Sequence, residues 1–468
     1  MGSLFLRSKW LVLLGLASVT FAVSSQMWPQ HYSVTISRKQ FQEHLKELRQ
    51  GEFDVAGTNL KNGTVTLIVD RSGLSTLNSM GLTDSFSVMD LRGTRPDPKF
   101  KTPDQIESIL RNYASTYPEL ATVQSIGKSL EGRETYMLRI TKRGGSDESK
   151  RPGLLLNAMH HAREVMSPEV PLDAAEYLLT NYGKDQKVTQ WVDSNIIYVL
   201  PMLNVDGNNR VWSGDSMWRK NVREGFGVDI NRNYPYSWNN CDGSSSYKGA
   251  QDYHGPSAAS EPETNNMMGL IAATRPMFSI SFHSFSEVLI YPYGCGQHTE
   301  TKEIVEPLGN QMASLIKSDD GSGSYTAGIA PDLLYAVDGD DISWMYHEYR
   351  VIPYVIELNS DQQGFQPSYD RWRDSTVQRV RPAWQLLLDR MSGPALVGDV
   401  GKPAKLIVKR TDGNFTDTFP TRPDGSFHVL VNPGTYTVKV ESEDGTVKVQ
   451  RQVIVGTAPQ QVSLPSAF

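Results

Sequence analysis

The apolar run Gly153-Leu154-Leu155-Leu156-Asn157-Ala158 is followed after two residues by His161-Ala162-Arg163-Glu164. The run is short and begins with glycine, which predicts a buried strand, and Val165 to Tyr182 has helical spacing. A strand that turns into a helix is typical of α/β proteins, which bind ligands at the carboxyl ends of their strands. His161 and Glu164 lie on that turn. They can share a metal ion if a third ligand comes from elsewhere and a fourth position stays open to water.

A histidine and a glutamate three residues apart are, by themselves, more often a solvated helix start than a metal site. Two further strands strengthen the metal interpretation. The run Met277 to Phe282 ends in His283, and Pro353 to Ile356 ends in Glu357. His283 is therefore the candidate third ligand. Glu357 follows an apolar strand, so it either pairs with a buried cation or transfers protons.

Arginines and asparagines follow another strand, Ile196 to Leu203. They occur in Trp218-Arg219-Lys220 and in Asp229-Ile230-Asn231-Arg232-Asn233. Arginine side chains are usually solvated. Arg219 and Arg232 would therefore belong to a functional site only if both side chains converge on the cleft that holds the histidines.

The first 25 residues are predicted to be a secretory signal peptide. Arg7 and Lys9 precede the apolar stretch Trp10 to Val23, and small residues follow it. A membrane anchor is the alternative, but the stretch is shorter than the ~20 residues that a span needs. We therefore expect a secreted protein with no membrane span, with vacuolar or lysosomal delivery as a further possibility.

Three regions are predicted after the signal. Residues 26–95 alternate strands and helices in a split β-α-β pattern, which predicts a small α+β open sandwich. A polar linker at 92–99, rich in arginine and proline, suits cleavage by a protease. Residues 96–393 predict the α/β fold, a mixed, largely parallel sheet with helices on both faces. Residues 394–468 alternate with period two between turn signals, which predicts an all-β sandwich.

The composition is that of a globular protein. The net charge is −6 with 39% hydrophobic residues, and no block of like charge indicates nucleic acid or a membrane surface as a partner. The two cysteines, Cys241 and Cys295, suggest one disulfide in an oxidising compartment. Whether they are bridged is open from the sequence.

Taken together, these motifs resemble the zinc metallocarboxypeptidase family, which includes the pancreatic carboxypeptidases A and B and carboxypeptidase T. The matching pieces occur in family order: His161–Glu164, Trp218–Lys220, Asn231–Asn233, Tyr253–Pro256 with Ser260–Glu263, His283–Ser286 with Tyr291–Gly294, Tyr335 nine residues before Trp344, and Ile356–Leu358. The N-terminal region is similar to the family's activation segment, the linker to its processing site, and the C-terminal sandwich to a transthyretin-like appendage.

The resemblance implies one Zn²⁺ ion and a role for each site residue. His161, Glu164 and His283 would be the ligands, with His160 as the rival for His161. Glu357 would be the general base and Arg219 the oxyanion-stabilising arginine. The residues implied to bind substrate are Arg163, Asn231, Arg232, the mobile Tyr335, and Ile342 in the specificity pocket.

Departures from the family pattern concern specificity. Phe285 stands where many relatives have tyrosine, and Ser343 replaces a common aspartate. Ile342 resembles the relatives that prefer hydrophobic residues, whereas Asp340 resembles the acidic residue of carboxypeptidase T. The preferred C-terminal residue is therefore hydrophobic, basic or broad, with hydrophobic slightly favoured.

We thus expect a monomeric, secreted zinc carboxypeptidase, made as a zymogen, that acts on peptides with a free C-terminus. A zinc deacylase and a non-catalytic binding protein are the alternatives. The N-terminal region could instead be a permanent domain, and the C-terminal sandwich a stability or binding module.

Overall fold

The computed structural model describes residues 31–50, 53–83, 88–91, 94–145, 148–442 and 445–462. The predicted signal peptide, Arg92-Gly93 of the linker, and residues 85–87 of a predicted strand lie outside the described residues. No helix in the described ranges is both long and apolar enough to cross a bilayer.

The N-terminal region (31–91) is a four-stranded antiparallel sheet in the order β2-β3-β1-β4. Its elements are β1 Tyr32–Ser37, α1 Arg38–Glu43, α2 Leu45–Gln50, β2 Asp54–Asn59, β3 Thr64–Val69, α3 Arg71–Ser79 and β4 Val88–Asp90. The sequence pattern from Lys39 to Arg49 predicts a single helix, which in the structure is interrupted at His44, where the backbone leaves the helical conformation. The sequence predicts a strand from Phe53 to Ala56. Strand β2 continues past Ala56, and its later residues contact the central part of the chain.

The central part contains an eight-stranded mixed sheet in the order β11-β10-β12-β9-β7-β8-β6-β5. Its strands are β5 Ala121–Lys128, β6 Glu134–Ile140, β7 Gly153–Ala158, β8 Ile196–Leu200, β9 Phe278–Ser284, β10 Val288–Ile290, β11 Thr326–Gly328 and β12 Ile352–Leu358. The four central strands β12, β9, β7 and β8 run parallel to one another. Strand β6 is antiparallel to β8, β5 to β6 and β10 to β12, whereas β11 is parallel to β10.

Helices cover both faces of this sheet. They are α4 Pro103–Thr116, α5 Glu169–Asn181, α6 Gln186–Ser194, α7 Val205–Trp212, α8 Pro262–Thr274, α9 Lys302–Leu315, α10 Ala330–Leu333, α11 Asp341–Tyr349 and α12 Tyr369–Arg390, with 3₁₀ turns at Glu148–Lys150, Arg223–Gly225 and Ile230–Arg232. Successive residues of a strand point to opposite faces. Leu154 and Leu156 accordingly join the core under α5, α9 and α12, and Leu155 joins the core under α8 and α11. Because both faces are covered, β7 is apolar along its length.

The helix after β7 begins at Glu169, four residues later than the expected start at Val165. Two prolines explain the difference. Proline lacks a backbone N–H and is tolerated only in the first turn of a helix. A start at Glu169 places Pro171 in the first turn and leaves Pro168 outside. The residues from Met159 to Pro168 are therefore free to form a buried turn, which carries His161 and Glu164.

The C-terminal region (395–462) is a sandwich of a three-stranded sheet, β16-β13-β19, and a four-stranded sheet, β15-β14-β17-β18. Its strands are β13 Ala395–Asp399, β14 Lys405–Arg410, β15 Thr416–Pro420, β16 Ser426–Leu430, β17 Gly434–Glu441, β18 Val447–Val455 and β19 Pro459–Gln461. Alternate side chains, including Leu406, Val408, Tyr436 and Val438, fill its separate core. The period-two alternation of apolar residues therefore corresponds to a β-sandwich, as the sequence predicts.

Candidate metal centre and adjoining cavity

Three side chains converge at the carboxyl edge of the central sheet. The ligand atoms of His161, Glu164 and His283 all lie within 4.8 Å of one another, and all three residues are buried. Nδ1 of His283 lies 3.1 Å from Nδ1 of His161 and 3.2 Å from Oε2 of Glu164. In the described part of the chain, no other cluster of three histidine, cysteine or acidic side chains meets this geometry. Two imidazoles and one carboxylate make up the ligand set of a catalytic zinc site.

The outer nitrogens of both imidazoles have partners that leave Nδ1 available for the metal. Nε2 of His161 lies 3.2 Å from Oδ1 of Asp229, so that nitrogen donates and Nδ1 carries the lone pair. Nε2 of His283 lies 3.2 Å from the hydroxyl of Ser281. Burial, followed by the charge of Arg219, lowers the pKa of His161. Burial opposes ionisation of Glu164, yet the neighbouring His161 and His283 hold its pKa well below the ordinary value.

His160, the rival ligand, lies on the other side of the turn. Its Nε2 is 3.1 Å from the hydroxyl of Tyr234 and 3.7 Å from Oδ2 of Asp341. Burial, followed by the nearby His283 and His161, lowers the pKa of His160 well below its usual value. The structure therefore places His161, and not His160, in the three-residue cluster.

Glu357 stands next to this cluster because of strand register. Strands β12 and β9 are parallel neighbours, and Glu357 is directly opposite His283 in their pairing. Burial raises the pKa of Glu357 to about 7, with Glu164 adding to the effect and His283 opposing it. A carboxyl group that titrates near neutrality can accept a proton and return it.

Two arginines reach the same edge of the sheet, and Asp229 holds one of them. Nη2 of Arg219 lies 2.9 Å from Oδ2 of Asp229, and its Nη1 lies 3.8 Å from Glu164. Arg232 donates from Nε to the carbonyl oxygen of Gly243 at 3.1 Å. Within the described ranges, Nη2 of Arg232 has no protein partner.

Asn231 presents its amide group toward the cavity. Its Oδ1 accepts the backbone N–H of Asp341 at 2.9 Å, which leaves Nδ2 as a donor without a partner among the described residues. Together with Arg232 it supplies adjacent N–H donors, an arrangement that suits a carboxylate in two-point contact.

One cavity of about 60 Å³ is bordered by the three residues of the cluster and by Glu357, Arg219, Asn231 and Arg232. Its far wall is apolar and is formed by Ile290, Ala330, Leu334, Val337, Ile342 and Val355. Oδ2 of Asp340 and both carboxylate oxygens of Asp341 are buried without a hydrogen-bond partner in the described structure. Burial raises the pKa of Asp340, and it raises that of Asp341 to about 6. The cavity therefore combines apolar walls with acidic groups.

The two departures from the family pattern have local explanations. Phe285 is buried against Phe365, with ring centroids 4.9 Å apart. The hydroxyl of Ser343 accepts the backbone N–H of Gly294 at 3.0 Å and thereby holds the cavity wall.

The N-terminal region covers the cavity through strand β2. Asp54 accepts two hydrogen bonds from Arg163, at 2.6 and 2.9 Å, and both side chains are buried. The hydroxyl of Tyr335 donates to the carbonyl oxygen of Val55 at 3.3 Å. Gly57 passes so close to Phe285 that an added Cβ would lie 2.5 Å from its carbonyl oxygen. Arg163 and Tyr335 therefore both contact the N-terminal region.

The cover is incomplete. A cleft of about 740 Å³ lies between α1, α2 and the loop 239–246, and it reaches Arg219, Arg232 and Tyr335.

Near the site, one expectation from the sequence is confirmed, and three acidic residues had not been predicted. Cys241 and Cys295 form a disulfide, which confirms the pairing suggested by their even number. Asp338 was missed. Its Oδ2 accepts the backbone N–H groups of Asn240, Cys241 and Gly243 at 3.0–3.1 Å. Asp229 and Asp54 were also missed. For Asp229, the only available signal was its place beside the Asn231-Arg232 motif. For Asp54, it was its place at the start of a strand.

The fold and the site define a mixed α/β protein with a buried metal centre of two histidines and one glutamate. A family model described as zinc carboxypeptidase matches residues 106–379, more than half of the 468-residue chain. The chain therefore belongs to the zinc carboxypeptidase family, and its His-Glu-His cluster fits the zinc ion that the family name implies.

Known relatives share part of this sequence, and a solved structure shares its fold. The chain is 28% identical over 281 residues to carboxypeptidase B from Homo sapiens, covering 57% of this chain and 65% of that protein. It is 30% identical over 302 residues to zinc carboxypeptidase A 1 from Drosophila melanogaster, covering 61% and 66%. The matches thus span just under two thirds of these relatives. Carboxypeptidase A from Helicoverpa armigera has the same fold, with a TM-score of 0.67, 22% identity, and 78% and 98% of the two chains covered.

Proposed function

We propose that this protein is a secreted zymogen of a zinc carboxypeptidase, which hydrolyses the C-terminal peptide bond of peptides and proteins. One observation carries the proposal. The metal-binding cluster, a carboxyl group with a raised pKa and a pair of N–H donors all border a single cavity. This arrangement supports a site for a terminal carboxylate beside a site for hydrolysis.

The proposed roles follow from the chemistry of each group. Bound by His161, Glu164 and His283, zinc would polarise the scissile carbonyl and lower the pKa of water to about 7. Glu357 takes the proton of the attacking water and delivers it to the departing amine. Arg219 donates to the carbonyl oxygen as negative charge develops there.

Recognition of the substrate end is assigned to the N–H donors. Asn231 Nδ2 and the Arg232 guanidinium hold the terminal carboxylate, because arginine's planar fork matches a carboxylate in two-point contact. Tyr335 closes over the bound end. Arg163 contacts residues further along the substrate.

The side chain of the C-terminal residue enters the apolar pocket lined by Ile342. The apolar walls favour hydrophobic side chains, whereas the unpartnered Oδ2 of Asp340 favours basic ones. We therefore propose broad selectivity with a preference for hydrophobic residues.

The N-terminal region (31–91) serves as the activation segment in this proposal. It occupies Arg163 and Tyr335, which are the groups assigned to substrate. Cleavage in the linker at 92–99 by another protease would release it. The chain would be secreted by its signal peptide (1–25) and act as a monomer, with the C-terminal sandwich as a transthyretin-like appendage.

The test uses the chain after cleavage of the linker. Zinc content is measured, together with turnover of N-blocked dipeptides that have a free or an amidated C-terminus. We expect one zinc per chain and hydrolysis of the free acids only. Glu357→Gln should lower turnover by ~10²–10⁴-fold while the zinc content is unchanged. Equal turnover of the amides would refute exopeptidase activity, and hydrolysis of N-acyl amino acids alone would indicate a deacylase.

A further inference from the structure

A second polar cavity lies at the junction between the central part and the C-terminal region. It has a volume of about 60 Å³ and is bordered on one side by Arg275, Met277 and Ile352, and on the other by Arg422 and His428. Met277 and Ile352 lie at the amino ends of β9 and β12, whereas His283 and Glu357 lie at the opposite ends. At ~3.3 Å per residue, the cavity is roughly 20 Å from the metal centre.

Nitrogen atoms from both sides of the junction are buried in this place without partners. Nε of Arg275, at the end of α8, and Nε2 of His428, on β16, have no hydrogen-bond partner in the described structure. The guanidinium of Arg275 lies over the ring of Tyr349, with Cζ 4.9 Å from the ring centroid. Buried donors without partners are rare in native proteins, so such a pair indicates a missing bound species.

The charges around the cavity are cationic. Arg422 donates to the carbonyl oxygens of Lys150 and Arg151 at 2.9 and 3.0 Å, and among the described residues no acidic side chain accepts a hydrogen bond from it. Burial, followed by the positive charges of Arg422 and Arg390, lowers the pKa of His428 to about 3. Burial also lowers the pKa values of Arg275 and Arg422.

The acidic side chains nearby are already engaged, and in the described part of the chain none of them borders the cavity. Asp417 pairs with Arg350, the third arginine of the lining, at 2.9 Å. Asp424 accepts the backbone N–H of Ser426 at 2.9 Å and its hydroxyl at 2.7 Å. Cationic donors from two regions of the chain therefore border the cavity, and no acidic side chain of the described residues does.

We propose that this junction is a binding site for one small inorganic anion, either a halide or a tetrahedral oxyanion, held between Arg275 and His428 beside Arg422. Water in the cavity would satisfy the unpartnered nitrogens but would leave the partly buried arginines without a counter-charge there, which is unfavourable. An anion satisfies both requirements. It would also attach the C-terminal region to the central part through charges of opposite sign.

The test is calorimetric titration of the full chain at constant ionic strength, with sulfate and with bromide as separate probes. For at least one probe, we expect a saturable component of one anion per chain that belongs to the junction. Arg275→Gln and His428→Gln should each weaken that binding about tenfold or more, because each removes a hydrogen bond to a charged group. Arg371→Gln changes an exposed arginine on α12 and should leave the affinity unchanged.

The metal centre and Arg232 also attract anions, so a second binding component is expected there. That component should be the same in all three variants, and this separates the two sites. If Arg275→Gln does not fold, His428→Gln tests the same cavity from the other side. Anomalous scattering of bromide in soaked crystals should locate the ion between Arg275 and His428.

Two results would overturn the proposal. One is the absence of saturable binding by either probe, since the cavity then holds water alone. The other is an unchanged affinity in the Arg275 and His428 variants, since the anion then binds elsewhere.

Discussion

The N-terminal and C-terminal regions are both β-rich, but they dock on opposite edges of the central sheet. The N-terminal region lies over the carboxyl ends of the strands, where Asp54 and Val55 contact Arg163 and Tyr335. The C-terminal region lies near the amino ends, where Asp417 pairs with Arg350. The first interface uses side chains that we assign to substrate, and the second uses none of them. Changes in the first should therefore alter activity, and changes in the second should alter stability alone.

Among the changes that test the two interfaces, Asp54→Asn should have the largest effect. It breaks a buried ion pair, which typically costs about 3–5 kcal/mol, so docking of the N-terminal region should weaken by roughly a hundredfold or more. The uncleaved chain should then hydrolyse a pentapeptide with a free C-terminus faster than the unaltered chain does. Glu47→Gln, an exposed acid-to-amide change in the same region, is the matched control. If uncleaved Asp54→Asn and wild type have the same rate, the ion pair does not hold the cover in place.

Gly57→Val should also weaken docking of the N-terminal region, but by less than Asp54→Asn does. A Cβ at this position would lie 2.5 Å from the carbonyl oxygen of Phe285, so β2 must move away from the cavity wall. Such overpacking typically costs about 1–3 kcal/mol. Turnover of the same pentapeptide by the uncleaved chain should rise, whereas Ser75→Val, on the exposed side of α3, should change nothing. A rate that stays at the wild-type level would show that the close approach is not needed for docking.

Asp417→Asn tests the other interface. It removes the charged partner of Arg350, and hydrogen bonds to charged groups contribute about 1.5–3 kcal/mol. We expect a lower urea midpoint with an unchanged kcat/KM for the cleaved enzyme. A fall in kcat/KM without loss of stability would contradict the proposal that changes in this interface alter stability alone.

Acidification should have the smallest effect, confined to low pH. Arg163 holds the pKa of Asp54 below its ordinary value although burial opposes this. Because the docked carboxyl binds its proton more weakly, the ion pair contributes fully above pH ~4 and weakens as the pH falls further. After linker cleavage, gel filtration should show more release of the N-terminal region at pH 3.5 than at pH 5. Release that occurs mainly between pH 7 and pH 5 would assign the effect to another group.

The sequence predicted those parts of the structure that depend on local pattern. The apolar strands β7, β9 and β12 were recognisable because helices cover both faces of the sheet. The convergence of His161, His283 and Glu357 followed from their places at the ends of those strands. The roles of the arginines came from the resemblance, since isolated arginines carry no such signal.

The rest depends on tertiary contacts. The extension of β2 to Asn59 follows from its packing on Phe285 and Ser286, which no local pattern records. Asp229 and Asp338 act on partners brought together by separate loops, so neither could be recognised from spacing. The start of α5 could have been placed correctly from Pro168 and Pro171, which the helical pattern of apolar residues obscured.

The open cleft beneath the N-terminal region gives the uncleaved protein a property of its own. Because the cleft still leads to Arg232 and Tyr335, the cover obstructs long substrates along β2 more than it obstructs small solutes. The proposed zymogen would then admit substrates according to their size. Cleavage would extend its activity to longer peptides, and the uncleaved protein would not be fully inactive.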